Sequence, residues 1–303
     1  SSDLQDLLTT IHTSSESDTE VTISDIDIST LAEPLKDIIG ERPILSFSIA
    51  NEDKDFFEFE KDITIEIPYT LKPGEDANTT LLCYIEHDKS TIINNCVYNP
   101  DTESFKVKTN KLLQFAVLQN KVNFKDVTGW YKDAVDFLSA RAIILGREDN
   151  AFDPSANITR AEFVQILANM SGADPNEYKT SIFNDVKTDD WFNGAVQWAY
   201  ENNIAFGYDG NFNPNDNITR QDMAVMLKQY NEAILGCALK NINEEILFED
   251  NIDISLYARE AVSEMQKMGI VSGRGNSIFD PRANATRAEA SSMVASLIKN
   301  SAQ

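Results

Sequence analysis

The chain has 303 residues with 26 Lys and Arg against 49 Asp and Glu, a net charge of −23 and a pI near 4.4. That imbalance excludes a nucleic-acid footprint or a general affinity for anionic lipid, since either needs clustered cations. The length and a 42% hydrophobic content support two domains or one large one, with packed cores.

No apolar run approaches the ~20 residues needed to cross a bilayer, so no membrane insertion is expected. No signal peptide is evident; the opening SSDLQDLL reads as part of something longer, with any export signal outside it. Two histidines, His12 and His87, and three cysteines without a Cys-x-x-Cys pair predict no zinc site and no cofactor. No nucleophile elbow, phosphate-cradling glycine loop or metalloprotease helix occurs.

Residues 1–120 alternate apolar and polar with period two, the strand pattern. Strands are expected over Val21–Ser29, Pro43–Ala50, Asp62–Leu71, Leu81–His87, Thr91–Tyr98 and Ser104–Thr109. Turns are expected at Lys72–Asn78 and Tyr98–Glu103. A short helix opened by Thr30 and Glu33 should run to Ile39. The pattern predicts an all-β, sandwich-like module. A hairpin about Asp88–Thr91 would make Cys83 and Cys96 near cross-strand partners, either a disulfide or two buried thiols; Cys237 has no evident mate. Glu58, Glu60, Asp62 and Glu66 read as a solvated face rather than paired catalytic carboxylates.

From Phe124 the period changes and an internal repeat appears. Copy one opens FKDVTGWYKDAVDFLSARAIILG, continues NAFDP and closes NITRAEFVQILANM. Copy two has FNDVKTDDWFNGAVQWAYENNIAFG, GNFNP and NITRQDMAVMLKQY; copy three has FEDNIDISLYAREAVSEMQKMGIVSG, SIFDP and NATRAEASSMVASL. The expected spans are 121–172, 180–231 and 245–300, each a helix, a loop and a second helix. Ala134, Val135 and Leu138 are core on the first helix of copy one, as are Ala195, Val196 and Ala199 in copy two. Phe163, Ile166, Leu167 and Met170 are core on the second helix, matched by Met223, Met226, Leu227 and Tyr230.

Each second helix opens with a capping box: Thr159 with Glu162, Thr219 with the shorter Asp222, Thr286 with Glu289. Ile158 with Phe163, Ile218 with Met223, and Ala285 with Ala290 fit the hydrophobic staple. The first helical residue is then Arg160, Arg220 or Arg287, where the helix dipole is mildly hostile to a cation. One reading pairs the arginine with a nearby acid such as Asp153 or Asp280. The other makes it an anion site: free backbone N–H groups and a planar fork of donors would together hold a carboxylate.

These copies resemble S-layer homology domains, the triplicated modules that fasten bacterial surface proteins to the cell envelope. The likeness rests on Phe-x-Asp (Phe124/Asp126, Phe183/Asp185, Phe248/Asp250), the following Gly, Phe-x-Pro and Ile-Thr-Arg-Ala-Glu. It implies an α+β multidomain chain in which a β-rich module precedes an α-helical, pseudo-threefold bundle. It also implies a non-catalytic anchor at the bacterial surface that binds secondary cell-wall polysaccharide attached to peptidoglycan, commonly through a pyruvylated N-acetylmannosamine. Arg160, Arg220 and Arg287 would contact the sugar in grooves between copies.

Trp130, Trp191 and Tyr257 are the aromatic candidates, for stacking on sugar or for partial core burial. Gly146, Gly207 and Gly273 are expected to end the first helix with positive φ, as caps or as close approaches to ligand. Copy three, with Ala285, Ala290 and no Trp, is expected to have turned structural. The alternatives are an envelope-glycan enzyme fragment, which lacks a preferred carboxylate pair, and a calcium-dependent lattice or adhesion module. The latter would add other surface-layer subunits as partners, but YDGNFNPNDN departs from the EF-hand pattern.

Overall fold

The computed structural model describes residues 20–302 apart from 52, 53, 57, 87, 88 and 112, and divides after Val122 into two compact units. It contains both antiparallel sheets and helices. His12 and His87 lie outside the described residues.

Among the described residues the first unit has nine strands: β1 (Glu20–Asp25), β2 (Ile44–Asn51), β3 (Lys54–Phe56), β4 (Glu58–Pro68), β5 (Thr80–Glu86), β6 (Lys89–Ile92), β7 (Val97–Asn99), β8 (Ser104–Lys111) and β9 (Gln114–Gln119). One antiparallel sheet runs β1-β2-β9-β5-β6 with β3 added on β2; the other runs β4-β8-β7. On β4, Ile63, Ile65 and Ile67 are buried while Glu66 faces out and accepts the Ser104 hydroxyl at 2.5 Å. The side chains of Glu58, Glu60 and Asp62 lie outside the described part. Strand β9 was not singled out by alternation because Phe115, Ala116, Val117 and Leu118 are all buried. It is paired on both sides, by β2 and β5. A strand covered on both faces has no polar phase to show.

Two expectations need correction. The helix here, α1, spans Glu33–Ile39 with Ala32 at its N-cap and Pro34 in its first turn, so Thr30 does not open it. Thr30 belongs instead to a preceding 3₁₀ turn that Asp27 caps. The partner of Cys83 on β6 is Ile92, not Cys96. The chain turns after Ile92, and the Cys96 amide donates to Ile93 O, so Cys96 sits past the strand. Its Sγ accepts the Leu82 amide at 3.3 Å. Cys83 and Cys96 are buried thiols outside any disulfide, as is the half-buried Cys237, and burial pushes the Cys83 thiol up to about 12.

The turn Lys72–Asn78 is tied down by one carboxylate. Glu75 accepts Arg42 Nε and the Tyr69 hydroxyl, both at 2.7 Å, and the Lys72 amide at 2.9 Å. Desolvation opposes the charge, but these donors outweigh it and hold the carboxyl below its usual range. A depressed carboxyl stabilises the fold above its unfolded pKa, and that contribution is lost as pH falls through the folded value. Glu75→Gln should therefore cost about 1–3 kcal/mol at neutral pH. The penalty should shrink in acid, as read by denaturant melts of the chain at pH 7 and near pH 3.5.

The second unit carries α2 (Lys132–Ala140), α3 (Arg160–Ser171), α4 (Asn193–Glu201), α5 (Arg220–Tyr230), α6 (Arg259–Lys267) and α7 (Arg287–Ser301). Each copy supplies two of them, yet the closest helix pairs join different copies: α3 with α4, α5 with α6, and α7 with α2. The second helix of every copy thus packs on the first helix of the next, and the third copy returns to the first. All six staple residues, Ile158, Phe163, Ile218, Met223, Ala285 and Ala290, are fully buried. A longer connector between copies two and three is strapped to copy three. Gln266 accepts the Ile246 amide and donates to Glu244 O, while Asn300 accepts the Lys240 amide.

Candidate functional site

The elements that meet between copies are the start of a second helix and the Phe-x-Pro loop of the following copy. Thr159 caps α3 by accepting the Glu162 amide, and Glu162 returns a bond from the Thr159 amide. Thr286 and Glu289 exchange the same two bonds. Thr219 caps α5 by accepting the Asp222 amide, while Asp222 accepts the Thr219 hydroxyl at 2.6 Å.

The first amides of these helices are not open to a ligand. Arg160 and Ala161 donate to Asp216 O and Pro214 O, Arg220 and Gln221 to Ala283 O and Pro281 O, and Arg287 and Ala288 to Ala156 O and Pro154 O. Isolated bridges Thr159–Asn217, Thr219–Asn284 and Asn157–Thr286 accompany them in the same cyclic order. The free backbone N–H groups expected of an anion site are used by the loop of the next copy.

The arginine side chains follow the amides. Arg160 Nε donates to Phe212 O at 3.0 Å and Nη2 to Phe206 O at 2.9 Å, with the guanidinium 4.7 Å from the centre of the Phe212 ring. Arg220 makes the same pair of bonds to Phe279 O and Ser272 O, 2.8 and 2.7 Å, over the Phe279 ring. Arg287 bonds Phe152 O and Leu145 O at 2.9 and 2.8 Å, over the Phe152 ring. A first-turn cation costs about 0.3–1 kcal/mol against the dipole, whereas each hydrogen bond to a charged donor contributes roughly 1.5–3 kcal/mol. The clamp outweighs the dipole. Burial lowers all three guanidinium pKa values from their ordinary range, and arginine nonetheless keeps its charge.

The Phe-x-Asp opening completes the device. Asp126 accepts the amides of Phe152 and Asp153, Asp185 those of Phe212 and Asn213, and Asp250 those of Phe279 and Asp280. This grip steadies a left-handed residue directly before each proline: φ is 59° at Asp153, 58° at Asn213 and 59° at Asp280. These loop-holding acids were visible as a signature, but their task was not, because their partners lie 26–30 positions away.

Gly146, Gly207 and Gly273 do not have positive φ and do not end the helices. The left-handed residues stand four positions earlier, at Ala142, Asn203 and Gly269. Glycine is required later by crowding: a Cβ at Gly146 would lie 2.3 Å from the Phe124 ring, and at Gly207 2.3 Å from Asn211 O. Nor do the three arginines pair with Asp153 or Asp280; those acids take Arg147 and Arg274 at 4.0 and 2.7 Å.

The three joints differ in charge. Arg220 Nη1 meets Glu289 at 2.7 Å, and Arg274 grips the same carboxylate at 2.8 Å. Arg287 Nη1 is 4.0 Å from Glu162, which Arg147 reaches at 3.2 Å. Arg160 makes no ion pair among the described residues, and its Nη1 has no hydrogen-bond partner there. Arg220 and Arg287 are 2% and 5% exposed; Arg160 is only half-buried.

The aromatic candidates lie at the surface rather than in the core: Trp130, Trp191 and Tyr257 are 70%, 63% and 62% exposed. Tyr257 crosses to copy two, donating to Asp222 at 2.6 Å and accepting from Gln221 at 3.1 Å. Desolvation first, then the Asp222 carboxylate, push its hydroxyl up to about 12.

A family model described as the S-layer homology domain matches residues 123–164, 182–224 and 252–291. The chain carries three S-layer homology domains. An amylopullulanase of Thermoanaerobacterium thermosulfurigenes is 35% identical over 196 residues, 62% of this chain and 10% of that protein. A cellulosome-anchoring protein of Acetivibrio thermocellus is 30% identical over 153 residues, 49% of this chain and 34% of that one. A surface-layer 125 kDa protein of Lysinibacillus sphaericus is 27% identical over 186 residues, 59% of this chain and 15% of that one. The chain thus spans between a tenth and a third of these relatives' lengths. Two of these three relatives are named as an anchoring protein and a surface-layer protein. No described helix is long and apolar enough to cross a membrane.

The clamp geometry sets the stability order of the joints. Arg220→Ala should cost about 3–5 kcal/mol, because it leaves two buried carbonyls unpaired and removes one of the two arginines that hold Glu289. Arg160→Ala should cost less than half of that. Paired chemical-denaturation curves on the full chain measure the difference; equal losses would contradict the burial ranking.

Proposed function

We propose that this chain is a non-catalytic anchor that holds a surface protein on the bacterial cell wall by binding anionic, pyruvylated secondary polysaccharide in the joints between S-layer homology domains. The observation that carries the reading is the alignment of three exposed aromatic side chains, Trp130, Trp191 and Tyr257, at equivalent positions in three cyclically joined copies. Exposed large aromatics with a nearby guanidinium suit a saccharide that has both an apolar ring face and a carboxylate. Tyr257, hydrogen-bonded to the start of α5, supports their placement at the joints. Gly146, Gly207 and Gly273 each directly follow a carbonyl that an inter-copy arginine holds, where the chain must stay thin.

The ring of inter-copy bonds supports a pseudo-threefold bundle, and the two antiparallel sheets of the first unit are consistent with a sandwich-like module. The proposed location is the cell surface, with peptidoglycan-linked polysaccharide as partner and other surface-layer subunits as a further possibility for the β-rich unit. The enzymes among the relatives match over the helical part, so their names bring no catalytic role to this chain.

Replacing Trp130, Trp191 and Tyr257 by Ala together should leave the chain folded, with each exposed Trp contributing no more than about 0.5 kcal/mol to stability. Sedimentation with purified sacculi should nevertheless fall by roughly tenfold or more in affinity, since stacked aromatic contacts are worth about 0.5–1.5 kcal/mol each beyond area burial. Undiminished pull-down by a folded triple variant would remove the aromatic contribution.

A further inference from the structure

The three joints are built from equivalent positions, so differences between them are differences of task. At the joint facing Arg220, Arg274 stands between two acids, 2.7 Å from Asp280 and 2.8 Å from Glu289, and Glu289 also reaches Arg220. At the joint facing Arg287, Arg147 stands between Asp153 and Glu162, and Glu162 lies 4.0 Å from Arg287. At the joint facing Arg160 the same three positions read Tyr208, Asn213 and Asp222. All three members of the charged lock are altered together.

The physical result is local. Asn213 carries no charge, and Tyr208 is 84% exposed. Asp222 is one methylene shorter than glutamate and turned to other donors, the Tyr257 and Thr219 hydroxyls, both at 2.6 Å. Arg160 is left with Nη1 uncommitted among the described residues and with two exposed aromatic side chains from the next copy, Phe206 at 47% and Tyr208. Asp216, Asp185 and Asp222 act on it only from a distance. In the other two joints the protein's own carboxylate occupies or approaches the place a ligand carboxylate would take.

We infer that the joint between copies one and two, centred on Arg160 Nη1 and flanked by Tyr208, Phe206 and Tyr257, is the principal seat for the anionic sugar, and that the joints at Arg220 and Arg287 are internally neutralised fasteners. This rests on the anchoring proposal and assigns its specificity to Tyr208, Asn213 and Asp222. Under this assignment both joints that copy three enters are fasteners. The departures of copy two create the receptive joint, and Arg220, not copy three alone, is the most fully locked of the three.

The test grafts the lock. Tyr208→Arg, Asn213→Asp and Asp222→Glu together should rebuild the ion-pair cluster beside Arg160 without removing any clamp. Calorimetric titration of the full chain with the methyl glycoside of 4,6-pyruvylated N-acetylmannosamine should show one dominant site in the parent. The graft should lose roughly tenfold or more in affinity, the equivalent of one charge-assisted contact, with a melting midpoint no lower than the parent's. The reciprocal Arg274→Tyr, Asp280→Asn and Glu289→Asp set should add a second site. Two or three equal sites in the parent, or a folded graft that binds undiminished, overturns the assignment while leaving anchoring intact. A parent that binds neither this glycoside nor purified sacculi overturns anchoring, and the assignment falls with it.

Discussion

The helical unit depends on one contact made three times: a guanidinium at the start of a helix reaching into the next copy to hold two carbonyls of its loop over a phenylalanine ring. The contact joins the helix to the loop in a fixed register, because the backbone amides beside each arginine bond the same loop two residues past its proline and at the proline itself. Charge, ring and amides together make a rigid joint from parts supplied by different copies. A cation that opposes the helix dipole is tolerated there because the carbonyls it meets more than offset the cost.

The joint also explains why each copy would be incomplete alone. Its first helix packs on the second helix of the preceding copy, and its loop is held by the arginine of that same neighbour. Within a copy, the Phe-x-Asp acid secures the loop so that its carbonyls point outward to be gripped. Any site at a joint draws on at least two copies, as the bond from Tyr257 to Asp222 shows.

Much of this was legible in the residues. The capping pairs, the staples and the core positions of the second helices could be read because they are local, set by spacings of three to five residues. The three arginines stood out by register, but their bonds join residues 46 to 142 positions apart, and no periodicity carries that information. Glycine illustrates the same limit. Gly146 and its counterparts mark a crowded passage against Phe124 or its equivalents rather than a turn of left-handed backbone, and sequence alone does not separate the two causes. In the β-rich unit, half-buried strands showed their alternation, whereas β9, covered on both faces, had none to show.

The return of Arg287 to Leu145 and Phe152 has a kinetic side. It closes loops of 142 and 135 residues, far longer than any other clamp in the unit. Copies one and two can associate as they are synthesised, but their outer faces stay unsealed until α7 has emerged. The third joint is therefore the last of the three that synthesis can complete.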